Sequence, residues 1–133
     1  MIRKVLQIGR WIVTFVFFPE GYDMNYVLDY LYYLDASDED LVSAYDKMLA
    51  EWPNEGVTFA NPEMKEALIV IGPTTSGKQF LNSISHEIDH LSDEIASWYG
   101  VKGHREGTSY LTGDTTMALA ELICRFGCDH CRE

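Results

Sequence analysis

The chain has 133 residues, 47% of them hydrophobic, and carries 10 basic against 21 acidic side chains for a formal net charge of −11. That size supports one domain, residues 1–133, with a core of its own and no need of covalent staples. The acidity repels phosphate backbones and anionic lipid surfaces, so neither nucleic acid nor membrane is expected as a partner.

In chain order, Arg3, Lys4 and Arg10 precede an apolar, β-branched and aromatic run over residues 11–18. Eight residues cannot span a bilayer, and Pro19-Glu20-Gly21 offers no small-residue cleavage site. The run reads as a buried strand closed by that turn. Residues 24–34 carry Val27, Leu28, Leu31 and Leu34 at helical spacing. The tyrosines between them, Tyr26, Tyr30, Tyr32 and Tyr33, read as core with hydroxyls at the surface. Ser37-Asp38-Glu39-Asp40 has the form of a capping box for a helix through Leu41, Tyr45, Met48 and Leu49, ended by Pro53 and Gly56.

Residues 57–60 and 67–71, joined by the turn at Asn61-Pro62-Glu63, form a two-stranded unit. The second of them offers an edge on which an extended peptide can lie. A long helix over residues 77–99 follows, stopped by Gly100. After a loop, a last helical stretch covers residues 106–126, with a possible break at Gly113. A small sheet with several helices is an α+β domain.

The chemistry concentrates on the long helix. His86 and His90 are four residues apart, so they share one face, roughly 40° apart around the axis. Two imidazoles so placed can both reach one zinc ion at about 2.0–2.1 Å. Glu87 lies one step round, within reach of the attacking water without ligating, which is the physical content of H-E-x-x-H. The apolar stripe Phe80, Ile84, Ile88, Leu91, Ile95 and Trp98 is centred roughly 130° from the histidines. They therefore face a second layer or a cleft rather than the core.

Candidates for the third ligand lie downstream. Leu91-Ser92-Asp93 does not continue the metzincin pattern. Glu106 opens a new helix sixteen positions after His90, as in gluzincins, and His104 in the loop is its rival. Glu106 is favoured because a helical ligand is better fixed than a loop one. Tyr110, one turn later, can face the cleft and stabilise an oxyanion, or pack beside Leu111.

Taken together, His86-Glu87, His90-Leu91, Glu106, Ser109-Tyr110-Leu111 and Gly113 resemble small HExxH zincin-like domains of gluzincin type, found among phage-type and mobile-element genes. The resemblance covers the C-terminal half. It implies a zincin-like fold, with a small, mostly antiparallel sheet packed against the HExxH helix. It also implies zinc held by His86, His90 and Glu106, with Glu87 as general base in a metallopeptidase. Where gluzincins often carry Asp four residues after the ligand Glu, this chain has Tyr110.

Two other motifs are weaker. Gly72-Pro73-Thr74-Thr75-Ser76-Gly77-Lys78 has a P-loop outline, but Gln79 replaces the magnesium-binding hydroxyl and no later strand ends in an acidic residue. Ser76 as N-cap with Gln79 at N3 accounts for the same residues. The three cysteines Cys124, Cys128 and Cys131 have iron–sulfur-loop spacing, yet only two residues follow them, and a zinc site with His130 is chemically open. An ordinary tail is favoured, with Cys124 buried on the last helix. Thiols clustered there suit a reducing, cytoplasmic compartment. The expectation is a zinc-dependent hydrolase acting on a peptide or protein. Its alternatives are a non-catalytic zincin-like interaction domain and, less favoured, a nucleotide binder. Glu87 separates the first two, since a structural site has no use for a carboxylate beside the metal.

Overall fold

The computed structural model describes residues 2–50, 55–98, 117 and 119–127. The elements are β1 (Ile2–Ile8), β2 (Trp11–Phe17), α1 (Met24–Tyr33), α2 (Asp38–Leu49), β3 (Gly56–Asn61), β4 (Glu66–Ile71), α3 (Gly77–Trp98) and α4 (Ala120–Gly127). The four strands form one sheet in the order β1-β2-β4-β3. β1 and β2 pair antiparallel, as do β3 and β4, while β2 and β4 run parallel. The domain is α+β, and its sheet is mixed: two antiparallel pairings flank a parallel centre.

Burial explains the order. Ala67 to Ile71 are all buried, and so are Val13 to Phe17, because these two strands have a helix layer on both faces. Trp11, Val13, Phe15, Phe17, Ala67, Ile69 and Ile71 face α3 and meet Phe80, Ile84, Ile88, Leu91 and Ile95. Leu119 and Ile123 join that side. On the other face Val16, Leu68 and Val70 pack with Val27, Leu31 and Leu34 of the α1 region and with Ala44 of α2. The result is three layers, with α1 and α2 on one face and α3 and α4 on the other.

Several expectations change. β1 is an additional strand, made by a two-residue turn in which Gly9 takes φ 61° and Ile8 faces Trp11. Glycine is suited to that position because its missing Cβ removes the left-handed penalty. Residues 67–71 are not an edge: β4 is paired on both sides, and among the described residues the outer strand beside the motif helix is β3. Nor does Gly56 end α2, which stops at Leu49, with Ala50 as C-cap; Gly56 begins β3. Of the tyrosines, Tyr32 and Tyr33 are exposed, while the half-buried Tyr30 hydroxyl lies 2.9 Å from Thr14 Oγ1 and donates to Glu66 Oε2 at 2.7 Å. Desolvation is the largest cause that raises the Tyr30 pKa to about 12. The stretch expected at 106–126 is described only at its end, as α4. No helix among the described residues is long and apolar enough to cross a membrane.

This layering predicts unequal costs along the sheet. Ile69→Ala, at a site with 0% exposure, should lower unfolding free energy by about 2–5 kcal/mol. Ile12→Ala, 44% exposed, should cost less than about 1 kcal/mol. Chemical denaturation of both variants checks this, and similar costs would contradict the assignment of faces.

Candidate metal centre

Helix α3 begins where its sequence says it should. Ser76 Oγ accepts a hydrogen bond from the Gln79 amide at 3.1 Å, so the hydroxyl of the P-loop-like segment caps the helix. The buried stripe then fixes rotation about the axis. His86 and His90 emerge exposed on the outer side, their ring centroids 4.2 Å apart and their planes inclined by 58°.

Glu87 goes the other way. Only 3% exposed, it lies against the start of β3, and its helix carbonyl accepts a bond from Thr58 Oγ1 at 3.2 Å. Carboxylate Oε1 is 3.5 Å from His90 Nδ1, and Oε2 is buried without a hydrogen-bond partner. Burial pushes the Glu87 carboxyl above the usual carboxylate range; His90, His86, Lys47 and Thr58 pull it partly back. Two turns beyond Glu87, Glu94 is raised mainly by burial, with His90 opposing the rise and Asp40 adding to it.

Gly56 makes this burial possible. A Cβ there would stand 2.7 Å from Glu87 Cγ, 2.9 Å from Cδ and 2.9 Å from the Val70 carbonyl oxygen. No side chain fits, so the glycine is needed for close approach of strand to carboxylate rather than for a special φ.

One donor atom from each of His86, Glu87 and His90 lies within 4.8 Å of the others. The two imidazole nitrogens at that spacing can hold one metal ion, and the carboxylate oxygen is near enough either to join them as a ligand or to meet a water bound to the ion. The orphaned Oε2 supports the fit, because a buried carboxylate oxygen with no partner is costly and a group bound beside it would supply one. The three residues open into a cleft of about 510 Å³, completed by Lys47 of α2, Glu55 and Gly56 at the head of β3, and Asn82 and Ser83 of α3. A groove of about 210 Å³ continues along β3 past Val57, Thr58 and Phe59.

The structure thus brings together His86, Glu87 and His90. Glu106, Tyr110 and the rival ligand His104 lie outside the described residues, as do Cys128, His130 and Cys131. Cys124 is an exposed free thiol on α4 rather than a buried one. Lys47, Glu55, Gly56 and Thr58 were not visible as site residues from spacing, since they come from α2 and β3, distant in the chain.

Two consequences can be measured. Because the Glu87 pKa is raised on folding, the folded metal-free protein holds more protons than the unfolded chain between the ordinary glutamate range and the raised value. Stability therefore falls as pH rises through that window. Glu87→Gln should stabilise the metal-free protein at pH 7, and the gain should shrink toward pH 4; a gain that grows toward acid would contradict the burial argument. Gly56→Ala should destabilise, and less so in a Glu87→Ala background. A double-mutant cycle should show coupling of at least about 1 kcal/mol, and additivity would mean that the two residues do not share the space.

No protein-family model matches this sequence, and neither the curated proteins nor the solved structures compared with it include a significant match. The site's own atoms carry its functional reading.

Proposed function

We propose that this protein is a zinc-dependent metallohydrolase of zincin-like type that cleaves peptides, with His86 and His90 as zinc ligands, Glu106 as the third by sequence pattern, and Glu87 as general base. The observation that carries the reading is the position of Glu87. A structural zinc site needs closed coordination and nothing more. Here a carboxylate is buried beside the imidazole pair at a cost, with its proton affinity raised, and faces an open cleft. Groups whose pKa is displaced by burial within a cleft are characteristic of acid–base sites.

Zinc, when bound, supplies Lewis acidity toward the scissile carbonyl and the attacking water. The residues do the rest. His86 and His90 hold the ion from one helix face, and the docking of α3 prevents that face from turning. Glu87 takes the proton from the attacking water and delivers it to the leaving amine, a transfer helped by its raised affinity. Its backbone is anchored to β3 by Thr58, and Gly56, without a side chain, leaves the space that its carboxylate occupies. The outer edge of β3, which pairs with no further strand among the described residues, is where an extended peptide can pair by strand addition. Tyr110 is assigned to the oxyanion from the sequence pattern.

The test begins with elemental analysis of protein purified without chelator, which should find about one zinc per chain. His86→Ala with His90→Ala should abolish it; zinc retained in that double variant would refute the site. Glu87→Gln should keep zinc and fold while peptide cleavage falls by roughly 10²-fold or more. Undiminished cleavage would remove Glu87 from the mechanism. Zinc binding with no cleavage across a broad peptide library would favour a non-catalytic interaction domain.

A further inference from the structure

Three of the chain's ten basic residues, Arg3, Lys4 and Arg10, lie in the β1–β2 hairpin, and no acidic residue precedes Glu20. On a chain of net charge −11 the hairpin is a local exception. Neither Lys4 nor Arg10 has an ion pair among the described residues. Arg3 donates to the Tyr26 hydroxyl at 3.1 Å and lies 5.7 Å from the centroid of that ring, a neutral partner that leaves its charge unbalanced. Glu66, registered beside Ile12, is engaged by the hydroxyls of Tyr30 and Tyr33, and Lys65 precedes it in the chain.

The hairpin is covered on one face only. Ile2, Leu6 and Ile8 of β1 pack toward α3, so alternation turns Arg3, Val5 and Gln7 to the opposite face. There α1 reaches Arg3 through Tyr26 and Thr14 through Tyr30. Beyond them Val5 and Ile12 are exposed. Val5 pairs with Thr14 and Gln7 with Ile12, which makes the two apolar side chains diagonal neighbours. The helix layer of α1 and α2 thus ends short of β1.

Helix α2 carries a surface of the opposite kind. Val42, Tyr45 and Leu49 are exposed, and their spacing places them in one stripe spanning about 60° of the helix wheel. Asp38 continues that stripe, and Glu39 and Asp46 flank it, all three exposed. Acids in the first turn serve the helix dipole, but Asp46 lies in the C-terminal half, where a negative charge gains nothing from it. An apolar stripe edged with acid on α2 matches an apolar pair edged with base on the hairpin, in both hydropathy and charge.

Independently of the metal centre, we propose that the face formed by Arg3, Val5 and Ile12 receives helix α2 of a second copy of this chain, in a head-to-tail contact that extends the helix layer beside α1. Donor and acceptor surfaces differ, so the contact is heterologous.

Sedimentation velocity of the full chain, from about 1 µM to about 500 µM, tests this. The average mass should rise with concentration at low salt, and the association should weaken about tenfold or more at about 1 M salt, where the Debye length is about 3 Å. Ile12→Asp breaks the acceptor and Leu49→Asp the donor, because each sets an unpaired carboxylate in the contact. Both positions are exposed, and circular dichroism checks that the fold is kept; Val5→Glu replaces Ile12→Asp if that variant misfolds. Each variant alone should stay monomeric. Mixed in equal amounts, the two should form a one-to-one dimer and nothing larger, since one intact donor then meets one intact acceptor. Wild type that stays monomeric throughout the range would overturn the proposal, as would association that survives either substitution or strengthens with salt. A mixture of the two variants that remains monomeric would overturn it as well.

Discussion

The docking of α3 on the sheet governs the rest of the molecule's chemistry. Phe80, Ile84, Ile88, Leu91 and Ile95 bury one face of this helix against the inward residues of β2 and β4. Each contributes roughly 1.5–3 kcal/mol of gross hydrophobic stabilisation. A helix held along four turns cannot rotate without exposing that stripe. Since side chains repeat every 3.6 residues, fixing the stripe also fixes where His86, Glu87 and His90 point. The imidazoles are sent outward, and the carboxylate falls at the boundary between helix and sheet.

That boundary is expensive. A carboxylate with 3% exposure loses hydration that one 3.5 Å contact to an imidazole replaces only in part. The fold tolerates it because β3 makes room: Gly56 presents no side chain, and Thr58 bonds to the Glu87 carbonyl. Desolvated, incompletely paired groups persist when the surrounding structure over-determines them, and they cluster where chemistry is done. The same packing that costs stability raises the proton affinity of the carboxylate.

Sheet order decides what else reaches this point. With β4 inserted between β2 and β3, the strand β3 is the outer one among the described residues, and side chains of α2 and α3 both reach it. Side chains from α2 and α3, separated elsewhere by the full thickness of the sheet, meet around that edge. Lys47 and the histidine pair share a cleft for this reason. Had β3 been central, the two layers would have remained apart and the cleft would have had only one wall.

Much of this was legible in the sequence because it is local. The 3.6-residue stripe of α3, the Ser76 cap, the Ser37 cap of α2, which accepts from the Asp40 amide at 3.1 Å, the buried run of β2 and the β3–β4 hairpin are all determined by neighbours within a few residues. So are the shared face of His86 and His90 and the displacement of Glu87 around the axis. What was not legible depends on contacts between distant segments. The basic residues of β1 hide a strand whose partner is recognisable only through the Gly9 turn. Residues 67–71 read as apolar whether at an edge or in the centre, and only the parallel pairing with β2 places them in the centre. Gly56 looks like a helix stop until Glu87, 31 positions later, arrives against it. By itself the sequence determined that His86 and His90 share one helix face with Glu87 beside them, since helical periodicity is a property of adjacent residues. The tertiary structure alone decided that the carboxylate is buried and that a lysine from the other layer faces the site, because burial and electrostatic environment are set by whatever the fold brings alongside.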